Sequence, residues 1–173
     1  GVNNNGLGIS GVAGGTGKGD GCRIMSCQVF SGKSSATTGA RAAAYYYAAK
    51  MGASVLQCSY GQPAGYMTSD NGFEQAYAAE IVALRYFRDF GNQVNGSPVN
   101  KNIIVFASGN DGSSISGYPA AHREFISVSA FGPDFLPTNY TNYGPGVNIS
   151  APGGDVAINL TANSDRAMIL STT

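Results

Sequence analysis

Short runs of β-branched and aromatic residues recur along the chain, separated by stretches in which apolar positions return every three to four residues. The first pattern reads as strand and the second as amphipathic helix, and their alternation is that of a parallel sheet with crossover helices. Strands are predicted at Arg23–Phe30, Ala53–Ser59, Ile103–Ala107 and Phe125–Ala130, with a shorter one near Val147–Ser150. Their apolar positions are continuous rather than alternating, which predicts burial on both faces. The expected fold class is α/β, a mostly parallel sheet with flanking helices.

A first helix is predicted to begin after Thr37 or Thr38, whose hydroxyls can cap free N–H groups. It is predicted to stop at Gly52, where left-handed backbone costs little. A second is predicted from about Asn71 to Phe90, with Phe73, Tyr77, Ile81, Leu84 and Phe87 or Arg88 as a core stripe and Glu80, Arg85 and Asp89 on the solvated face. Tyr45, Tyr46 and Tyr47 are consecutive, so on a helix they point in three directions and are expected to pack rather than to form a ligand platform. From Ser108 onward Gly, Pro, Asn and Ser punctuate short strands. Loops of that kind at strand ends are where α/β folds place ligands.

Composition narrows the partners. The 173 residues, 43% hydrophobic and 12% charged, suffice for one sizeable core, and residues 1–173 are read as one folded unit. Lys and Arg together number 10, as do Asp and Glu, so there is no electrostatic footprint for nucleic acid. No apolar stretch is long enough to span a bilayer as a helix. The three cysteines, Cys22, Cys27 and Cys58, form no CxxC pair and have one histidine for company, which argues against zinc and for buried thiols. Four Asn-x-Ser/Thr tripeptides, at Asn95, Asn139, Asn148 and Asn159, are accounted for by the abundance of Asn.

Two segments invite chemistry. Gly11–Gly19, ending in Gly17-Lys18, resembles a phosphate loop, but the first required glycine falls on Val12 and the hydroxyl residue after the lysine is Gly19, so nucleotide binding is rejected. The second is the strand Ile103–Ala107 running into Ser108-Gly109-Asn110-Asp111-Gly112 and then Gly117-Tyr118-Pro119. A buried strand ending in small residues places the Asn110 amide at its C-terminal tip, where it can donate two N–H bonds to a developing oxyanion without carrying charge. Taken alone, Ser-Gly-Asn is also a common turn.

The order of several segments decides between these. Asn3–Gly14, Val55–Gly61, Val105–Asn110, Gly117–Pro119 and Val147–Gly153 resemble, in this order and spacing, consecutive motifs of the subtilisin-like serine peptidase family. The resemblance covers nearly the whole chain and implies the central part of a subtilisin-like domain. It implies that the family's catalytic Asp and His motifs lie upstream of Asn3 and its Ser motif downstream of Gly153, so the chain by itself is expected to be inactive. It implies further that Asn110 is the oxyanion-hole residue. Ser59, Tyr60 and Gly61 would form the strand pairing with an extended polypeptide substrate and one wall of the S1 pocket. Ala107, Ser108 and Gly109 would form the opposite wall, with Gly117 as a floor that leaves room for a large apolar side chain. Asp111 would favour basic groups there. No cofactor is required; calcium is implied at Asn5, with the carbonyls of Asn3, Leu7 and Ile9. An extracellular or cell-envelope location also follows from the resemblance.

His122, the sole histidine, lies beyond Gly117-Tyr118-Pro119 and away from the family's general-base position, and a packing role is expected. A module without a triad that retains the cleft to hold extended peptides is the alternative reading.

Overall fold

The computed structural model describes residues 12–32, 34–90, 101–155 and 168–169. After an irregular stretch, β1 (Phe30–Ser31) and β2 (Ser34–Ser35) form a short antiparallel pair. Helix α1 (Thr38–Lys50) leads to β3 (Val55–Cys58), helices α2 (Asp70–Ala76) and α3 (Ala78–Phe90), then β4 (Ile103–Ala107), β5 (Ile126–Phe131) and β6 (Ile149–Pro152). The last four strands make one sheet in the order β3-β4-β5-β6, parallel throughout, with Leu56 beside Ile104 and Val128 beside Ile149. This is the α/β architecture expected.

The helix signals act as anticipated at α1. The Thr37 hydroxyl accepts from the Ala40 N–H, and Gly52 just beyond the helix has φ +79°. The second helix differs from expectation, because Tyr77 leaves the helical region (φ −124°, ψ 41°) and divides it into α2 and α3. Its carbonyl nevertheless accepts from the N–H groups of Glu80 and Ile81, so one residue ends the first helix and begins the second. Tyr45 is buried, Tyr46 packs on the core edge and Tyr47 is half exposed, the divergence expected of consecutive helical residues.

The core lies between α1, α3 and one sheet face, where Tyr45, Ala49, Leu84, Phe87, Ile104 and Phe106 are buried together. Three expectations fail here. Residues 22–29 form no strand, and only Phe30 and Ser31 at the end of that run pair. Cys22 is exposed and Cys27 half-buried, so of the three thiols only Cys58 is buried, and burial pushes it up to about 11. The sheet is covered on one face only among the described residues. On the other, Val55, Ile103, Ile126 and Ile149 are between 38% and 57% exposed. The apolar runs thus reflect two hydrophobic faces of which the described helices cover one.

Glu80 is a further departure: it is 2% exposed rather than solvated, because Arg41 of α1 crosses to it and neutralises it in the core. A second ionic cluster joins α2 and α3 to the segment before β5. Arg85 binds both oxygens of Glu124, at 3.1 Å from Nε and 2.6 Å from Nη2 to Oε1, and also Glu74. Arg88 reaches Glu124 too. Bonding to Arg85 first, and then Arg88, outweighs burial and holds the Glu124 carboxyl at about 2, against an ordinary 4.5. A depressed carboxyl contributes stability above its unfolded value and loses it as pH falls towards its folded value. The melting temperature of the intact protein is therefore expected to fall between pH 5 and pH 2 more steeply than that of Glu124→Gln. Parallel curves would refute this role.

Candidate active-site cleft

Strands β3 and β4 are neighbours and run the same way, so the segments following them emerge side by side at the C-terminal edge of the sheet. Between them lies a cavity of about 220 Å³. The residues given cleft roles from the sequence all line it: Ser59, Tyr60 and Gly61 on one side, Ala107, Ser108, Gly109, Asn110 and Asp111 on the other, and Gly117. Gln62 and Pro63 join them. The calcium loop proposed at Asn5 lies outside the described residues.

Local contacts explain how each part is held. Tyr60 turns its ring onto the core, against Phe106 and Phe30, and its hydroxyl meets that of Tyr45, so it presents backbone rather than phenol to the cleft. Burial holds both tyrosines far above the ordinary phenol range. The Ser108 N–H extends the β4–β5 ladder by donating to the Val128 carbonyl, and its own carbonyl accepts from Gly117 N–H at 2.8 Å. Gly117 is a glycine because the Gln62 carbonyl occupies the space a Cβ would take. Close chain approach therefore requires it, besides any demand for an open pocket floor. Gly109 combines φ +111° with a buried neighbour, Asn142, against which a Cβ would collide.

Asn110 stands apart from this lacing. It is exposed, and its side-chain amide has no partner among the described residues. It also borders a second cavity of about 460 Å³, over the open sheet face beside Val128, Ser129 and Thr141. The amide thus sits on the ridge between two depressions, with its donors unspent. Asp111, next along, accepts from the Ala64 N–H and from Asn142 Nδ2, both at 3.0 Å, and these bonds hold its carboxyl below the ordinary range.

His122 is elsewhere. It is buried among Phe73, Tyr118 and Phe125, its Nδ1 accepts from the Glu124 N–H, and its Nε2 lies 3.1 Å from Glu74. With Nδ1 accepting, Nε2 carries the proton and donates to Glu74. Glu74, His122 and Glu124 are also the one grouping among the described residues with metal-ligand chemistry. Arg85 already bridges the two carboxylates, so their charge is spent without an ion.

The sequence profile of the subtilase family matches residues 1–173. The chain belongs to the subtilase family. A thermophilic serine proteinase from a Bacillus species (strain AK1) is 30% identical over 160 residues, 92% of this chain and 33% of that protein. An extracellular protease of Xanthomonas campestris is 34% identical over 74 residues, 42% of this chain and 13% of the relative. This subtilase chain therefore spans a third or less of these relatives. Among solved structures, the epidermin leader peptide processing serine protease of Staphylococcus aureus superposes with a TM-score of 0.55 over 75% of this chain and 34% of its own, at 23% identity, a likeness of fold. The sheet and its flanking helices are shared with that structure.

Asn142 was not singled out in the sequence, although it is fully buried behind the cleft and joined to Ser108, Asp111 and Ser113. Its neighbours Thr141 and Tyr143 read as an ordinary polar turn, and its partners lie 29–34 residues away, so no local signal marks it.

Proposed function

We propose that this chain forms the substrate cleft and one oxyanion donor of a subtilisin-like serine endopeptidase, with the Ser-His-Asp triad contributed by other parts of the whole protein. The unspent Asn110 amide at the tip of β4 carries this reading. A carbonyl lying across the cleft would find a neutral donor there and no side chain competing for it. The extended substrate pairs with the Ser59–Gly61 segment, which continues β3, the outermost strand of the sheet among the described residues. Its side chain enters between Ser59–Gly61 and Ala107–Gly109, over Gly117. The pocket's small residues favour a large apolar group. Asp111 is spent on Ala64 and Asn142 and is read as a tie between the two walls rather than a selector of basic groups. The extracellular protease among the relatives supports a location outside the cell or in its envelope. Calcium at Asn5 is retained as part of the proposal. The balanced charge argues against nucleic acid as partner.

The test is on the intact protein. It is expected to be labelled covalently by a fluorophosphonate. It is also expected to cleave chromogenic peptides with Phe or Leu before the scissile bond at least about tenfold faster in kcat/KM than Lys, the scale on which apolar pockets discriminate. Binding of the peptides without labelling or turnover would replace this reading with that of a peptide-holding module. A Lys preference would return Asp111 to the role of selector.

A further inference from the structure

The cleft has a rigid backing that the family's triad logic does not use. Asn142 is wholly buried, yet all four of its hydrogen-bonding capacities on the side chain are engaged with one loop. Its Oδ1 accepts from the N–H groups of Asp111, at 2.9 Å, and Ser113, at 3.1 Å. Its Nδ2 donates to the Ser108 carbonyl and to Asp111 Oδ2, both at 3.0 Å. Its backbone adds two more ties, the N–H donating to the Gly109 carbonyl and the carbonyl accepting from Ser108 Oγ, each at 3.0 Å. Both residues next to Asn110, Gly109 and Asp111, are therefore fixed to Asn142, while Asn110 itself has no side-chain partner among the described residues. Gly109 supplies the close approach that brings the amide against the loop.

We infer that Asn142 is a positioning residue for the oxyanion site: it immobilises residues 108–113 so that Asn110 alone projects its amide into the cleft. Through Asp111, which also accepts from the Ala64 N–H, the same net fixes the distance between the two walls. The inference rests on the reading of Asn110 as oxyanion donor. An amide suits the post because it offers two acceptor sites and two donors at once, a combination that no hydroxyl or carboxylate provides. An error of about 1 Å in placing a catalytic group can cost of the order of 10²-fold in rate.

In the intact protein, Asn142→Ser is expected to lower kcat, per site titrated with fluorophosphonate, by about 10²-fold while KM changes little. A structural role alone would lower the melting temperature and leave titrated kcat in place, and that result would overturn the inference. The deciding experiment is the cycle with Asn110→Ala. If Asn142 acts through Asn110, adding Asn142→Ser to Asn110→Ala costs little further kcat, whereas fully additive losses would place its action elsewhere and overturn the inference while leaving the oxyanion reading intact. An Asn110→Ala variant with unchanged kcat would remove both. Should Asn142→Ser not fold, Asp111→Ala at an exposed position cuts the same net, and the same cycle is read with it: a loss of kcat that vanishes in the Asn110→Ala background supports the inference, and additive or absent losses overturn it.

Discussion

If Asn110 is the oxyanion donor proposed above, replacing it by Ala in the intact protein is expected to lower kcat by ~10²–10³, roughly 2.7–4 kcal/mol, with a much smaller effect on KM, the magnitude known for an oxyanion-hole asparagine of a subtilisin. The direction follows from where charge appears. A bound peptide carbonyl is nearly neutral and becomes an oxyanion only as the tetrahedral species forms, so an amide aimed at the later position assists the transition state selectively. Among the described residues the exposed amide of Asn110 has no bond to lose on truncation. A turn-forming Asn predicts the opposite: reduced thermal stability with kcat per folded molecule largely kept. The backbone of this turn is already secured by Gly109, Asn142 and Tyr140, whose carbonyl accepts from the Gly112 N–H, so removal of the Asn110 side chain breaks no bond among the described residues. Active-site-titrated kcat measured beside the melting temperature separates the two, and an unchanged kcat in a destabilised variant would end the oxyanion role.

How much of this was legible beforehand depended on whether the determinant was local. Strand β4 is bounded where the sequence placed it, because five apolar residues run straight into Ser-Gly-Asn and nothing else competes for them. Helix α1 is legible for the same reason, with a capping threonine at one end and a left-handed glycine at the other. The cleft residues were located by the order of motifs rather than by any one of them. What escaped was non-local. The break at Tyr77 leaves the helical period of Phe73, Ile81 and Leu84 undisturbed, so periodicity has no means of reporting it. The run from Cys22 to Val29 has strand composition but forms no strand, its two ends making single backbone bonds to Ala13 and Ala36, and composition alone does not make a ladder. Asn142 is polar and sits in a turn-like sequence, and only the fold brings it behind Asn110. Glu80 was assigned to solvent from the helix pattern, since its partner is 39 residues earlier on another helix.

Glu80 and its partner make the fold sensitive to a single change. Arg41→Ala is expected to destabilise the intact protein by about 3–5 kcal/mol, the usual consequence of removing one member of a buried pair, out of a total that is commonly ~5–15 kcal/mol. Glu80 is 2% exposed and Arg41 14%, so water does not replace the lost partner. Burial already raises the Glu80 carboxyl against the opposing pull of Arg41, and without the guanidinium the rise must grow. The Ala36 carbonyl also loses its bond from Arg41 Nη1 at 2.7 Å. The pH dependence carries the signature. A carboxyl raised in the folded state is tolerated below its unfolded value and penalises folding as pH rises through the folded one. The deficit of Arg41→Ala relative to the parent should therefore be largest near neutral pH and shrink towards pH 4, the reverse of the trend expected at Glu124. Glu80→Gln introduced into Arg41→Ala should recover much of the loss at neutral pH, because a neutral amide needs no counter-charge in that pocket. Urea unfolding of the three variants at pH 4.5 and 7.5 reads all of this directly: a deficit that is the same at both pH values, or a double variant no better than Arg41→Ala, would mean that the pair is not the ionic keystone between α1 and α3.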